Sequence, residues 1–422
     1  MALDIILMFS ALVSCGLLFL VLFEPGIGYH VEMSATSPSA SEFLRILGAI
    51  TDSEVHKIET VEVLTDGQAF YDSELDAIRT ATKSVHIEAF IFHPSDIGDR
   101  FLTTLTERAQ AGVAVRVVVD AIGSFPTPDR YFAPLRAAGG RVSWYQPIRW
   151  YTLKRFNNRT HREIIVVDGT TGFVGGAGIA SHWFGPKQGE KPWRDTMLRI
   201  TGNLVGGLQT AFAENWLEST SQILADASIF PKVRCAANEK AGLVVIGTPS
   251  PARSSPARVL FQVVLAAARE SIDINSPYFL PDASARRELI AAAGRGVRVR
   301  IITPGSANNH PIARRASRRR YGELLKAGVE IYEFQPRMIH AKILVADGLW
   351  SVVGSTNFDS RSFDLNDEVN MVVMDPGLAA RLNIDFERDR ASSRPITYAE
   401  WVMRPLAERV LAMLGLFLER QE

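Results

Sequence analysis

Two short stretches place similar residue types at the same spacing. Residues 339–347 read IHAKILVAD, and residues 160–168 read THREIIVVD. In the later stretch His340 and Lys342 stand two apart in a strand-like run, so both side chains leave the same face, while Ala341 and Ile343 take the other. Asp347-Gly348 is a hairpin signal, and WSVVGSTN returns as the partner strand with Asn357 at its end. A histidine, an ammonium and an amide then meet at one sheet edge. They supply a base or nucleophile, a fixed cation and a hydrogen-bond donor, the groups needed to hold and attack a phosphate.

The earlier stretch keeps His161 but carries Glu163 where the later one has Lys342, and Gly178 where it has Asn357. Swapping an ammonium for a carboxylate beside an anion is a two-unit change of charge. Each unit is worth about 3 kcal/mol at 5 Å and an effective dielectric of 20. A working site therefore needs compensation. Alternation turns Arg162 to the opposite face, which leaves Arg155, Arg159 and the run Arg314, Arg315, Arg318, Arg319, Arg320 as candidate cations. The alternative is that Glu163 is neutral or turned away and Lys342 alone holds the anion. A nucleophilic imidazole also needs a carboxylate on its second nitrogen. WRDTMLRIT and LNDEVNMVV follow the two motifs at matching places, offering Asp195 for His161 and Glu368 for His340. Asp168 and Asp347 head Asp-Gly turns and are expected to be structural.

The elements that position these residues also occur twice. SVHIEAFIF matches SIDINSPYF, AGVAVRVVVD matches RGVRVRIIT, and GGRVSWYQP matches AGVEIYEFQP, in the same order. About a dozen extra residues separate Gln146 from His161. Strand runs such as VRVVVD are nearly continuous in apolar residues, as in sheets buried on both faces. They alternate with amphipathic helical runs such as DRFLTTLTERAQAG, which ends in glycine. The fold class is therefore α/β: two similar layered halves related by an internal pseudo-twofold. The halves are expected over 61–236 and 237–398, preceded by a linker and lead-in over 26–60. Residues 399–422 are expected to form an amphipathic C-terminal helix, with Leu406, Val410, Met413, Leu414 and Phe417 on one face.

The chain has 422 residues, with 46 Lys plus Arg against 46 Asp plus Glu, so no basic field favours nucleic acid. Its 2 cysteines form no disulfide or zinc pattern. Ile5 to Phe23 carries no charge, and as a helix it reaches roughly 28 Å, close to a bilayer's hydrocarbon thickness. Residues 1–25 are expected to be a retained single-pass anchor, since the basic start of a cleaved signal is missing. His86 and His93 read as packing residues, and His182 and Trp183 as surface loop.

The pattern His340-x-Lys342-x4-Asp347-x6-Gly354-Ser355-x-Asn357 resembles the HKD signature of the phospholipase D superfamily. The first copy, from His161 through Glu163 and Asp168 to Gly176, is a degenerate version. SPYFLPD, RRASRRRYGELLKAGVEIYEFQPRMIHAK and GSTNFDSRSFDLNDEVN are similar to phrases of bacterial cardiolipin synthases. That resemblance implies a phospholipase D fold and a membrane-bound phosphatidyltransferase making cardiolipin from phosphatidylglycerol or a related lipid. His161 would be the nucleophile and His340 the general acid and base, with no metal or other cofactor. Glu88 and Tyr278 would belong to that family's pocket wall, and the location would be the bacterial cell membrane. By charge and position just before the second motif, Arg314, Arg315 and the preceding His310 are expected to meet an anionic headgroup. A hydrolase of the same superfamily, or a non-catalytic lipid-binding relative with a decayed first site, are the alternatives.

Overall fold

The computed structural model describes residues 2–23, 28–32, 39–150, 157–185, 191–231, 240–249 and 255–405. The strands of the first half are β1 (His56–Thr65), β2 (Ser84–Ala89), β3 (Ala114–Asp120), β4 (Arg141–Tyr145), the short β5 (Arg159–Thr160), β6 (Ile164–Val167), β7 (Thr171–Gly175) and β8 (Thr196–Gly202). Those of the second are β9 (Ala241–Gly247), β10 (Ser271–Asn275), the short β11 (Phe279–Leu280), β12 (Arg298–Pro304), β13 (Glu330–Phe334), β14 (Ile343–Ala346), β15 (Trp350–Gly354), the short β16 (Phe358–Asp359), β17 (Asn366–Met374) and β18 (Ser393–Ile396).

In space the first half runs β1-β8-β7-β6-β2-β3-β4 and the second β9-β17-β15-β14-β10-β12-β13-β18. Position by position the two orders correspond, and β18 is an added edge strand. In each half three parallel strands (β2, β3, β4; β10, β12, β13) adjoin antiparallel ones. The motif hairpins β6–β7 and β14–β15 lie next to the parallel block. Their turns use Asp168-Gly169 and Asp347-Gly348, all at positive φ (53°, 67°, 53° and 58°). Two consecutive left-handed residues are what a tight hairpin with twisted strands demands.

Helices Asp66–Arg79 and Asp96–Gln110 cover one face of the first sheet, and Val205–Thr220 covers the other. In the second half Pro256–Ala267, Ala283–Gly294 and Pro311–Lys326 cover one face and Pro376–Ala391 the other. A third core joins the halves: Ile164, Val166, Val174, Leu198 and Ile200 pack with Ala341, Ile343, Val353, Val369 and Met371. The sheets also meet edge to edge, where His56 and Lys57 pair with Gly242 and Ala241.

The lead-in departs from expectation. Residues Ala40–Ile50 form a helix with a capping box at Ser39 and Glu42. Its buried face, Phe43, Leu44 and Leu47, enters the core of the second half, with Phe43 edge-on to Trp350 at 4.9 Å. The chain therefore contributes to its second half before building its first, and β1 starts at His56 rather than at 61. Helix Tyr398–Val402 docks Trp401 against Gly322 and the Arg318 carbonyl. The amphipathic run from Leu406 to Phe417 lies outside the described residues.

At the N-terminus Ala2–Phe23 is a 22-residue helix. Its described side chains are Asp4, Ile5, Leu7 to Ser14 and Gly16. Among the described residues no helix is long and apolar enough to cross a membrane.

Candidate active site

Both motif histidines approach the sheet ends through backbone pairing with the opposite half. β5, just before His161, runs parallel to the start of β17, and the His161 N–H donates to the Asp367 carbonyl at 2.9 Å. Arg194 bridges Ile339 in the same sense, and the His340 N–H donates to the Arg194 carbonyl at 2.7 Å. Each histidine is thus set beside the acidic residue one position beyond its backbone partner, Glu368 near the start of β17 and Asp195 just before β8. Asp195 Oδ2 lies 2.9 Å from His340 Nδ1, and the Glu368 oxygens lie 3.1 and 3.2 Å from His161 Nδ1. This corrects the expected pairing: the same four residues form both pairs, but each pair crosses between halves.

Each carboxylate has a second donor. Ser355 Oγ donates to Glu368, and Trp183 Nε1 donates to Asp195 Oδ2 at 2.9 Å. The two motifs differ accordingly. Gly176 stands where Ser355 does in the other copy, and a Cβ there would meet Asp195 Oδ1 at 2.8 Å and Lys342 Cδ at 2.9 Å. The tryptophan supplies what the missing serine does not. Trp183 is buried and its ring sits 5.5 Å from His340, so the surface-loop expectation for it is wrong. Trp193, at 5.3 Å, and Tyr278, at 6.4 Å, complete an aromatic wall round His340. Phe90 lies 5.3 Å from His161. Among these, Trp193, Phe90 and Ser355 were not read as site residues, because a lone aromatic or serine reads as packing until its neighbour is known.

Burial, the Lys342 charge and the nearby His161 push the His340 imidazole down to about 4, so it is neutral near pH 7. In the tautomer whose Nδ1–H donates to Asp195, Nε2 carries the lone pair. The Lys342 ammonium lies closest to Nδ1, at 2.7 Å, with Nε2 at 3.1 Å, and it donates to the His340 carbonyl at 2.9 Å. Burial lowers Lys342 to about 8 against the opposing pull of Asp195, Glu368, Glu163 and Asp359. Burial raises the Asp195 and Glu368 carboxyls, but both are held below the usual range, Asp195 by His340, Lys342 and the Thr196 N–H, and Glu368 by His161, Ser355 and Ser362. Asn357 is buried, and its Oδ1 has no hydrogen-bond partner. Asp359, also unforeseen, caps the helix Ser360–Asp364 through Ser362 N and is raised by burial to about 7.

Glu163 is buried, and burial drives its carboxyl well above the usual range despite Lys342 and the Phe90 and Ile91 N–H groups. Its Oε1 accepts from Phe90 N at 3.2 Å. A Cβ on Gly178 would meet that oxygen at 3.0 Å and the Ile91 carbonyl at 2.7 Å. The glutamate's carboxyl therefore crowds the space an asparagine at 178 would use, and the two departures of the first motif are one local arrangement. Three of the arginines expected to compensate are paired with other carboxylates. Arg159 pairs with Asp120 at 3.5 Å, Arg314 and Arg318 pair with Glu333 at 2.8 and 2.6 Å, and Arg155 lies outside the described residues. Lys342, from the opposite half, is the cation that acts on Glu163.

The pocket expectations divide. Tyr278, His310 and Arg314 line one small cavity with Thr303, Asn308 and Ser317. Arg315 is exposed and does not line it. Glu88 is fully buried beneath the site, where one oxygen accepts from Thr160 Oγ1 and, at 2.6 Å, from Asn215 Nδ2. It braces the residue before His161 and has no surface to offer a headgroup. Asp168 gathers the N–H groups of Thr82, Lys83 and Ser84, and Asp347 those of Arg269, Glu270 and Ser271. Both tie their hairpin to the strand beside it. His86 bonds Gln209 and Arg116, and His93 bonds the Gly123 carbonyl, away from the motifs.

Residues 75–188 and 262–390 match the family model described as cardiolipin synthase, PLD-like domain. The chain belongs to the cardiolipin synthase family. A cardiolipin synthase of Geobacillus sp. (strain WCH70) is 34% identical over 384 residues, covering 91% of this chain and 76% of the relative. Cardiolipin synthase A of Pseudomonas fluorescens (strain SBW25) is 34% identical over 373 residues, covering 87% and 76%. Among solved structures, phosphatidylserine synthase of Haemophilus influenzae Rd KW20 shares the fold. Its TM-score is 0.71 at 16% identity, over 90% of this chain and 100% of that one. Against the HKD signature, the first motif of this chain departs at Glu163 and Gly178.

Proposed function

We propose that the protein is a membrane-bound phosphatidyltransferase that makes cardiolipin from phosphatidylglycerol. The observation that carries this reading is the crossed pair His161–Glu368 and His340–Asp195 with Lys342 between them. His161, its Nδ1 held by Glu368, attacks the phosphorus of the donor lipid through Nε2. The glycerol leaves with a proton from His340, and a phosphohistidine forms. The arriving phosphodiester offsets the Lys342 charge and so raises His340 towards the protonated form this step needs. A second phosphatidylglycerol then gives its hydroxyl proton to His340 and attacks the phosphohistidine, releasing cardiolipin and restoring His161. Lys342 and Asn357 hold the phosphate oxygens. Tyr278, His310 and Arg314 stand on the polar side from which the acceptor headgroup approaches.

The single-pass N-terminal anchor is part of the proposal. It is supported by the uncharged run Ile5 to Phe23, the helical backbone over Ala2–Phe23, and the exposure of Ile5, Leu7, Met8, Phe9 and Leu12. Exposed side chains of this kind need an apolar surrounding.

Expression in a cardiolipin-free bacterial host, followed by lipid analysis, tests the function. Cardiolipin is expected from the parent chain and none from His161→Ala or His340→Ala. Accumulation of phosphatidic acid without cardiolipin would show water to be the acceptor and the protein a hydrolase. Neither product would show the first half-site to have lost its activity.

A further inference from the structure

The two sides of the site's rim differ. In α/β sheets ligands meet the carboxyl ends of parallel strands, and here β3 and β4 end together, with Asp120 in register with Tyr145. The loop after β3 exposes Ile122 and Phe125, and the loop after β4 exposes Ile148 and Trp150. Phe125 at 81% and Trp150 at 84% are the most exposed large apolar side chains among the described residues. The matching loops of the second half, after β12 and β13, instead expose Ser306, Asn309, His310 and Gln335.

Both apolar loops are built into the His161 side of the site. Asp120 Oδ1 accepts from the Ile122 and Gly123 N–H groups at 2.8 and 3.0 Å, while its Oδ2 accepts from Thr160 N at 3.1 Å. A Cβ on Gly123 would meet Phe90, the ring that packs on His161. The second loop follows Gln146, whose carbonyl accepts from Arg159 at 2.8 Å. One residue layer therefore separates each loop from the reacting histidine. The second loop also opens the stretch of about a dozen residues that the other half lacks.

We infer that Ile122, Phe125, Ile148 and Trp150 form a docking rim that enters the interfacial layer of a phospholipid bilayer, separate from the N-terminal anchor. Exposed tryptophan and phenylalanine at a rim suit that layer, because each buries an apolar ring while the indole N–H stays near polar headgroups. The asymmetry gives the direction. The apolar side rests in the bilayer beside the His161 side of the site, outside the bound donor. Headgroups approach from the polar side, with Tyr278 and His310. A donor lipid then presents its phosphate without leaving the bilayer. The inference rests on the phosphatidyltransferase reading, since it assigns the rim to lipid.

The full chain reconstituted in phosphatidylglycerol vesicles tests it with two readouts. Lipids brominated just below the glycerol should quench tryptophan emission of the parent chain, and Trp150→Phe, which keeps an apolar tip, should lose that share of quenching. Equal quenching in both would overturn the docking rim. Phe125→Ser/Trp150→Ser should lose at least fivefold in turnover on vesicles while keeping parental turnover of monomeric dihexanoyl phosphatidylglycerol. Equal loss on both substrates would also overturn it, because the loops would then be supporting the site's fold. If the parent turns over neither lipid, the functional reading fails, and the quenching result alone decides whether the rim meets a bilayer.

Discussion

Glu163 shows how far a single residue's meaning depends on its surroundings. Read along the chain it is a reversed charge worth several kcal/mol, and the expected remedy was an arginine. In the fold the remedy is burial: the carboxyl is driven towards its neutral form and accepts from Phe90 N. The alternative of a neutral Glu163 was open from the sequence, but choosing it needed the Gly178 contact that only the fold supplies. Glu163→Gln is therefore expected to leave turnover at the parent's level. If Glu163 were ionised at about 5 Å from the phosphate, the same change would raise the rate roughly 10²-fold. Lys342 carries the complementary prediction. It is charged below its pKa of about 8 and neutral above it. A phosphate held by its charge then dissociates as pH rises, so kcat/KM should fall above about pH 8. Lys342→Arg keeps its charge throughout that range and should remove this alkaline limb, whatever rate remains. An unchanged limb in that variant would assign it to another group.

At the scale of elements, the strands, hairpins and helices were legible because their periodicity is local. VRVVVD became β3, the Asp-Gly pairs became hairpin turns, and the repeat became the matched strand order. The partners of the histidines were not legible in the same way. Asp195 and Glu368 occupy equivalent places in related halves, so a pairing within each half and a pairing between halves leave the same trace in the sequence. What decides is β5 on β17 and Arg194 on Ile339, pairings between segments far apart in the chain. They draw the first motif onto the second half's last long strand, and the reverse. The nitrogen resonances of His161 should therefore move in Glu368→Gln and stay in place in Asp195→Asn, with the opposite pattern for His340. Each substitution should lower kcat by about 10²- to 10⁴-fold, as when a triad loses the carboxylate that orients its histidine. Asp195→Asn shifting His161 alone would restore the pairing within halves. The same crossing explains the buried arginines. Arg162, from the first motif, donates to the Gly247 and Glu368 carbonyls of the second half, and Arg194 meets Asp389 of the second half's helix Pro376–Ala391.

For the whole molecule, the order of the chain and the order of its cores disagree, and stability should follow the cores. The helix Ala40–Ile50 precedes every strand of the first half but buries Phe43, Leu44 and Leu47 in the second. No periodicity in the sequence could assign that face, since an amphipathic helix does not name the sheet it covers. Removing it exposes partners as distant in sequence as Leu243, Phe261 and Trp350. Burial of three large apolar side chains contributes roughly 5 to 9 kcal/mol, against a total of about 5 to 15 kcal/mol for an ordinary domain. A chain beginning at residue 53 should therefore lose most of the second half's stability while β1 and the first half's own core remain intact. One beginning at residue 39 should match the longer protein in this respect. Hydrogen exchange read element by element distinguishes the cases. The expected result is protection lost across β9, β10 and β15 and retained across β2, β3 and β6. Because His340, Lys342 and Glu368 all stand on the affected half, transferase activity should disappear with that protection, although residues 40–52 include none of the motif residues. Loss of protection confined to the first half would mean that the helix serves the sheet it precedes.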